Sequence, residues 1–149
     1  MLSCGIIIQN ENNDILACLP WGKKSRETKG ISNIYDIPKG EKDPNDLSDL
    51  DTALRELYEE TGIRLTEEEK MQLKDCGVFR NYRTDKDLHL YLLKKSNVNL
   101  NGLMCESKFI NKWGSLVPEM IGYRWVKKEE ISQKMYTSLG PVLLKCLGA

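Results

Sequence analysis

Histidine is almost absent from this sequence, and neither sign of charge predominates. His89 is the single histidine, and the five cysteines, Cys4, Cys18, Cys76, Cys105 and Cys146, are odd in number and form no CxxC pair. Together these argue against a structural zinc site and against a disulfide framework, and they fit a reducing cytoplasm. Lys plus Arg and Asp plus Glu both number 22, so no long-range field draws the chain to nucleic acid or to an anionic membrane. Any recognition of phosphate must therefore be local. Long hydrophobic runs are missing as well. The apolar run that follows Met1 to Gly5 is only Ile6 to Ile8 and has no basic leader, so neither a signal peptide nor a membrane span is expected. No internal repeat, low-complexity tract or Pro/Ser-rich linker divides the chain, which leads to the expectation of one domain over residues 1–149.

What the sequence does have is a core's worth of apolar residues, 40% of the total, several of them in short runs. Cys4 to Gln9 and Ile15 to Leu19 flank the turn-forming stretch Asn10 to Asp14 and predict a β-hairpin. Trp21 to Ser32, polar and basic with Gly22 and Gly30 as breakers, predicts a loop. Ile34 to Ile37 predicts a brief strand that stops at Pro38-Lys39-Gly40. From Leu47 the apolar positions Leu47, Leu50, Leu54 and Leu57, with Ala53 beside them, fall at the spacing of an amphipathic helix that Gly62 ends. Gly77 to Arg83 and Leu88 to Lys95, around Thr84 to Asp87, predict a second hairpin, and Ile121 to Val126 a further strand. The tail after Lys128 is expected to be helical, with an interruption near Gly140-Pro141. Hairpins and a central helix without a regular βαβ repeat give an α+β class with a mixed sheet and helices packed on it.

On the predicted helix, Glu56, Glu59 and Glu60 lie at i, i+3 and i+4, so three like charges share one face. Because the leucine stripe commits the helix to a core, an organised acidic face is favoured over a merely solvated one. A hard cation such as Mg²⁺ takes oxygen ligands, keeps several waters and accepts phosphate oxygens, so this cluster suits a phosphate ester or anhydride substrate. Arg55, four residues before Glu59, is placed to hold that carboxylate.

The wider pattern adds a family. Gly40 followed by Arg55-Glu56-Leu57-Tyr58-Glu59-Glu60-Thr61-Gly62-Ile63 resembles the Nudix box, G-x5-E-x7-R-E-U-x-E-E-x-G-U with U aliphatic. Tyr35-Asp36-Ile37-Pro38-Lys39-Gly40 is similar to the family's strand into the box, Gly5-Ile6-Ile7-Ile8 to its opening strand, and Tyr123-Arg124-Trp125-Val126 to a late strand. One residue is inserted: Arg55 lies fifteen after Gly40 rather than fourteen. The family's upstream glutamate falls on Leu47, while Asp46 keeps the distance from Gly40; Asp46 either substitutes or starts the helix, and helix capping is the favoured reading.

The resemblance implies a Nudix-like α/β/α sandwich and metal-dependent hydrolysis of a nucleoside diphosphate linked to another moiety, with Mg²⁺ or alternatively Mn²⁺ as cofactor. It implies Glu56 and Glu60 as the main metal ligands, Glu59 as a further ligand or the partner of Arg55, and the backbone carbonyl of Gly40 as another donor. Glu119, in the loop ahead of Ile121 to Val126, is the loop candidate for general base, set against an ordinary exposed acid. Lys39 is the favoured phosphate contact, and Trp21, Tyr35 and Trp113 are aromatics that either stack on a base or pack on the core. His89, inside a strand, is expected to be structural. The expected partner is a small nucleotide, with no membrane, and with nucleic acid disfavoured by zero net charge except as an RNA 5′ end. Family members often form dimers, which leaves a homodimer open. Cys105 to Tyr123 resembles a stretch of bacterial and phage Nudix proteins. The competing class is a Nudix-like sensor that binds a nucleotide without cutting it.

Overall fold

The computed structural model describes residues 1–148. Eight strands and five short to medium helices alternate along it: β1 (Leu2–Gln9), β2 (Ile15–Pro20), α1 (Lys24–Thr28), β3 (Lys39–Glu41), α2 (Asp49–Thr61), α3 (Glu67–Met71), β4 (Lys74–Arg83), β5 (Lys86–Lys94), β6 (Lys108–Ile110), β7 (Leu116–Pro118), β8 (Met120–Val126), α4 (Ile131–Lys134) and α5 (Gly140–Cys146). The main sheet runs β4-β5-β1-β2-β8, with β3 also on β1; β6 and β7 form a separate two-stranded sheet. The sheet is mixed, because β1 runs parallel to β5 from Leu2 beside Asp87 to Gln9 beside Lys94 and antiparallel to β2 and β3.

Strand β1 is buried from Ser3 to Gln9, as expected for a strand covered on both faces. Cys4, Ile6 and Ile8 point to one side and pack with Ala53 and Leu57 of α2. Ile7 points to the other and joins Ile15, Ala17, Ile131, Met135, Leu139 and Leu143 around α4 and α5. Period-two alternation thus builds two cores from one strand, with helices on both sides of the sheet. The α/β/α sandwich expected from the sequence is the observed architecture.

The feature that positions the site is a split in the sheet. Segment 35–41 wedges between β1 and β2: Asp36 exchanges backbone hydrogen bonds of 2.7 and 2.9 Å with Cys18, and Lys39, Gly40 and Glu41 pair with Gly5, Cys4 and Ser3. The strand predicted at Ile34 to Ile37 is therefore reduced to single bridges at Tyr35 and Asp36, and the regular pairing begins only after Pro38, which has no N–H to give.

Several expectations need correction. Leu47 is 93% exposed and lies outside the helix, because α2 starts two residues later: Ser48 is the cap, its Oγ accepting from the Asp51 N–H at 3.1 Å. Asp46 does not cap. The loop expected over Trp21 to Ser32 contains α1, which buries nothing and is braced by a 3.0 Å ion pair from Lys24 to Glu27. The helical tail after Lys128 is interrupted near Gly140-Pro141 as expected: α4 ends at Lys134, and Gly140-Pro141 opens α5, where proline is tolerated in the first turn. Cys76 of β4 and Cys146 of α5 form a disulfide across 70 residues. The odd cysteine count gave no sign of it, because the pairing arises only when α5 packs on β4.

Candidate active site

The site is built where α2 passes the wedge. Helix α2 ends at Gly62, in the left-handed conformation at φ +79°, with its N–H on the Tyr58 carbonyl at 2.8 Å. Its remaining C-terminal carbonyls are taken up by the chain that follows: Glu59 O accepts from the N–H groups of Glu106 (2.7 Å) and Ser107 (3.0 Å), and Thr61 O from Met104 (3.1 Å). The Tyr123 hydroxyl donates to Glu60 O. Both the strand β8 and the segment leading to β6 are thus fastened to the helix end that carries the glutamates.

Glu56 is 8% and Glu60 1% exposed. Gly40 lies directly over Glu56, so closely that a Cβ there would fall 1.9 Å from Glu56 Oε1. Burial, then the charge of Glu59, raises the Glu56 carboxyl above the usual range. Glu60 is raised as well, by burial first and then by Glu56, Asp36 and Glu119, with Lys39 opposing. Its Oε1 is buried without a hydrogen-bond partner. A buried carboxylate oxygen without a donor is costly, and acids contributed by α2, the wedge and the loop before β8 crowd the same spot. A divalent cation is the group whose charge and oxygen preference fit this arrangement.

Arg55 organises the outer side. Its Nε and Nη2 donate to the two oxygens of Asp46 at 3.1 and 2.8 Å, its Nη1 to both oxygens of Glu59 at 3.2 Å and to Glu56 Oε2 at 3.3 Å. The fork holds Asp46 well below the usual carboxylate range. The residue inserted in the box is thus absorbed in the loop before α2, leaving Asp46 within reach of Arg55. Glu59 turns toward Arg55, and among the described residues no three His, Cys, Asp or Glu side chains stand together in a set that could by itself hold a metal ion. Of the two roles left open for Glu59, its geometry is that of the partner of Arg55.

Lys39 is 15% exposed at its side chain, its Nζ 3.4 Å from Asp36 Oδ2, and it lines a cavity of about 430 Å³ with Tyr82, Arg83, Tyr136, Thr137, Ser138 and Leu139. Tyr35 is 2% exposed; its hydroxyl donates to Glu27, so no ring face is free for a base. Trp113 is 69% exposed on the turn between β6 and β7. His89 is held between Asp49 (2.8 Å) and Asp75 (2.7 Å), a satisfied structural residue as expected. Asp36 was missed as a site residue, although it stands in the segment that leads into the box. Tyr82 and Tyr136 were also missed, because only the fold brings β4 beside the chain after α4.

The NUDIX domain model matches residues 1–146. The chain belongs to the Nudix family. An uncharacterized 17.7 kDa protein of the e-segB intergenic region of Enterobacteria phage T4 is 37% identical over 140 residues, which cover 93% of this chain and 89% of that protein. Two solved structures share the fold of this chain over nearly its whole length: a C. elegans Ap4A hydrolase binary complex (TM-score 0.65, 20% identity, 98% of this chain and 96% of that one) and the NUDIX domain of Shewanella oneidensis NrtR complexed with ADP ribose (TM-score 0.65, 11% identity, 99% and 86%). No helix among the described residues is long and apolar enough to cross a membrane.

Proposed function

We propose that this Nudix protein hydrolyses a phosphoanhydride bond in a nucleoside diphosphate linked to another moiety, using a divalent cation. The observation that carries the reading is the buried, partnerless Oε1 of Glu60 beside Glu56 under Gly40. Mg²⁺, with Mn²⁺ as the alternative, is the proposed ion; bound there it would neutralise the diphosphate and lower the pKa of an attacking water.

Glu56 and Glu60 are the proposed ligands, with the Gly40 carbonyl as a further oxygen donor. Glu119 is the proposed general base: it precedes β8, and its charge bears on both Glu56 and Glu60. Arg55 positions Glu56 and Glu59 rather than touching substrate. Lys39, with Arg83 in the same cavity, supplies positive charge for phosphate oxygens, and Tyr82 and Tyr136 supply aromatic surface for a base. Tyr35 drops out of the substrate contacts. Cytoplasmic residence goes with a small nucleotide substrate, and the Cys76–Cys146 disulfide is a feature that speaks against a reducing compartment.

The test is a hydrolysis panel run with Mg²⁺, with Mn²⁺ and with EDTA: ADP-ribose, a diadenosine polyphosphate, a nucleoside triphosphate, a dinucleotide coenzyme and a capped RNA oligomer. ADP ribose and a diadenosine compound head it because the structural neighbours are described with them. Cleavage of at least one, abolished by EDTA, is the expected result. Measurable nucleotide binding without any cleavage would put a sensor in the hydrolase's place.

A further inference from the structure

The two-stranded sheet of β6 and β7 stands apart from the main sheet, and its function is not explained by the core. It pairs Lys108 with Pro118, Phe109 with Val117 and Ile110 with Leu116. Its turn is ordered by Asn111, whose Oδ1 accepts from the N–H groups of Trp113 and Ser115 at 2.9 Å each. Trp113 is therefore displayed on a fixed turn. Its ring lies 6.2 Å from that of Trp21, and Trp21 meets Phe109 edge to face at 5.8 Å. The Lys112 ammonium stands 4.7 Å from the Trp113 ring centre. With Phe109, Ile110 and Leu116, which are also exposed on these two strands, Trp113 makes a solvent-facing apolar surface of the kind that marks a ligand or partner site.

Both ends of this hairpin are fastened to the catalytic centre. On the entering side, Glu106 and Ser107 donate to Glu59 O; on the leaving side, the Glu119 N–H donates to Ser107 O at 2.9 Å and the Trp21 N–H to Glu119 O at 2.8 Å. The acids are thus connected through the fold to two aromatic surfaces. Lys39 leads to the cavity of Tyr82 and Tyr136, and Glu119 leads to Trp21, Phe109 and Trp113. One base stacked on each surface would lay a connecting phosphate chain across Glu56, Glu60 and Lys39.

We propose that Trp113, backed by Trp21 and Phe109, is a stacking platform for the second nucleobase of a dinucleotide, making dinucleoside polyphosphates or dinucleotide coenzymes the preferred substrate class. This rests on the Nudix hydrolase reading above. A π surface accepts either purine or pyrimidine, and the Lys112 ammonium adds attraction for the adjoining phosphate. The strapping to Glu59 and Glu119 favours a ligand of the active site over a second copy of the chain, which would gain nothing from that coupling.

The experiment is calorimetric titration in EDTA, where binding is read without turnover, with a diadenosine polyphosphate and with ADP-ribose, on wild type, Trp113→Ala and Trp113→Phe. Stacking of one base corresponds to roughly 5- to 150-fold in affinity. The expected result is that wild type prefers the diadenosine compound by a factor in that range, that Trp113→Ala removes the preference, and that Trp113→Phe restores most of it. Steady-state kinetics should show the same loss in KM with kcat retained. Equal dinucleotide affinity in wild type and Trp113→Ala would overturn the platform, and so would a wild-type dimer that Trp113→Ala converts to monomer without changing ligand affinity. If wild type cleaves neither compound but the preference and its loss are observed, the hydrolase reading falls and the platform stands.

Discussion

Replacing Gly40 with alanine would place a methyl carbon 1.9 Å from Glu56 Oε1, 2.1 Å from its Cδ and 2.4 Å from Oε2. Ordinary contact needs about 3.5 Å, so the carboxylate must retreat by roughly 1.5 Å. Gly40 is not in the left-handed backbone region, so alanine meets no conformational penalty there and the whole cost falls on Glu56. A glutamate can yield by rotating, at about 0.5–1.5 kcal/mol for an off-rotamer side chain. For a chain of this length that is a fall of less than about 6 °C in Tm. The same rotation removes the carboxylate from its place over the site, and a misplacement of about 1 Å typically costs on the order of 10²-fold in rate. The assay is turnover of whichever panel compound is cleaved, across a Mg²⁺ series, beside a thermal melt. Near-wild-type turnover at every Mg²⁺ concentration, with an unchanged melt, would refute the claim that Gly40 is a glycine because Glu56 occupies the space.

Three further outcomes are expected. Asp46→Asn removes half of the fork on Arg55, loosens Glu59 and Glu56 through it, and should lower activity by roughly 10- to 100-fold, as is usual for partners of metal ligands; unchanged kinetics would leave Asp46 with no role beyond the loop. His89 is raised above the ordinary histidine value, desolvation being outweighed by its bonds to Asp49 and Asp75. Its contribution is therefore complete below the unfolded histidine pKa and is lost as pH rises through the folded one. His89→Gln should cost about 1–2 kcal/mol at pH 5.5 and clearly less at pH 9 by denaturant titration, whereas an equal cost at both would exclude the charged triad. Reduction of the Cys76–Cys146 disulfide should lower stability by about 4 kcal/mol, from the loop closed across 70 residues; a melt insensitive to reductant, with both thiols shown to be freed, would contradict it.

Much of this molecule is legible from local chemistry. The short apolar run of Cys4 to Gln9, the leucine spacing through Leu57 and the stop at Gly62 each report a choice the chain makes within a few residues, and each is found in the fold. The Arg55–Glu59 pair is likewise set by helical spacing alone. Thr66 and Glu69 even spell out the capping box that starts α3, a signal present in the sequence and overlooked. The rest depends on distant segments meeting. Leu47 has the apolar character of a helix face but stands before the Ser48 cap, so a hydroxyl two places into the predicted helix outweighed the periodicity. Asp46 has the chemistry of a cap or of an arginine partner, and only the fold of the preceding loop decides between them. Asp36, Tyr82 and Tyr136 gather near Lys39 because the wedge, β4 and the chain after α4 converge there, and no spacing rule within any one of those segments shows it.

The most direct test of the metal site is to measure Mn²⁺ binding and Mg²⁺-dependent hydrolysis side by side in wild type and Glu60→Gln. The substitution is nearly isosteric and relieves the repulsion of Glu60 by Glu56, Asp36 and Glu119, so the variant should melt no lower than wild type in the absence of metal while losing both saturable Mn²⁺ binding and turnover. A folded Glu60→Gln protein that binds Mn²⁺ and turns over substrate as wild type does would contradict the assignment of this carboxylate to the metal.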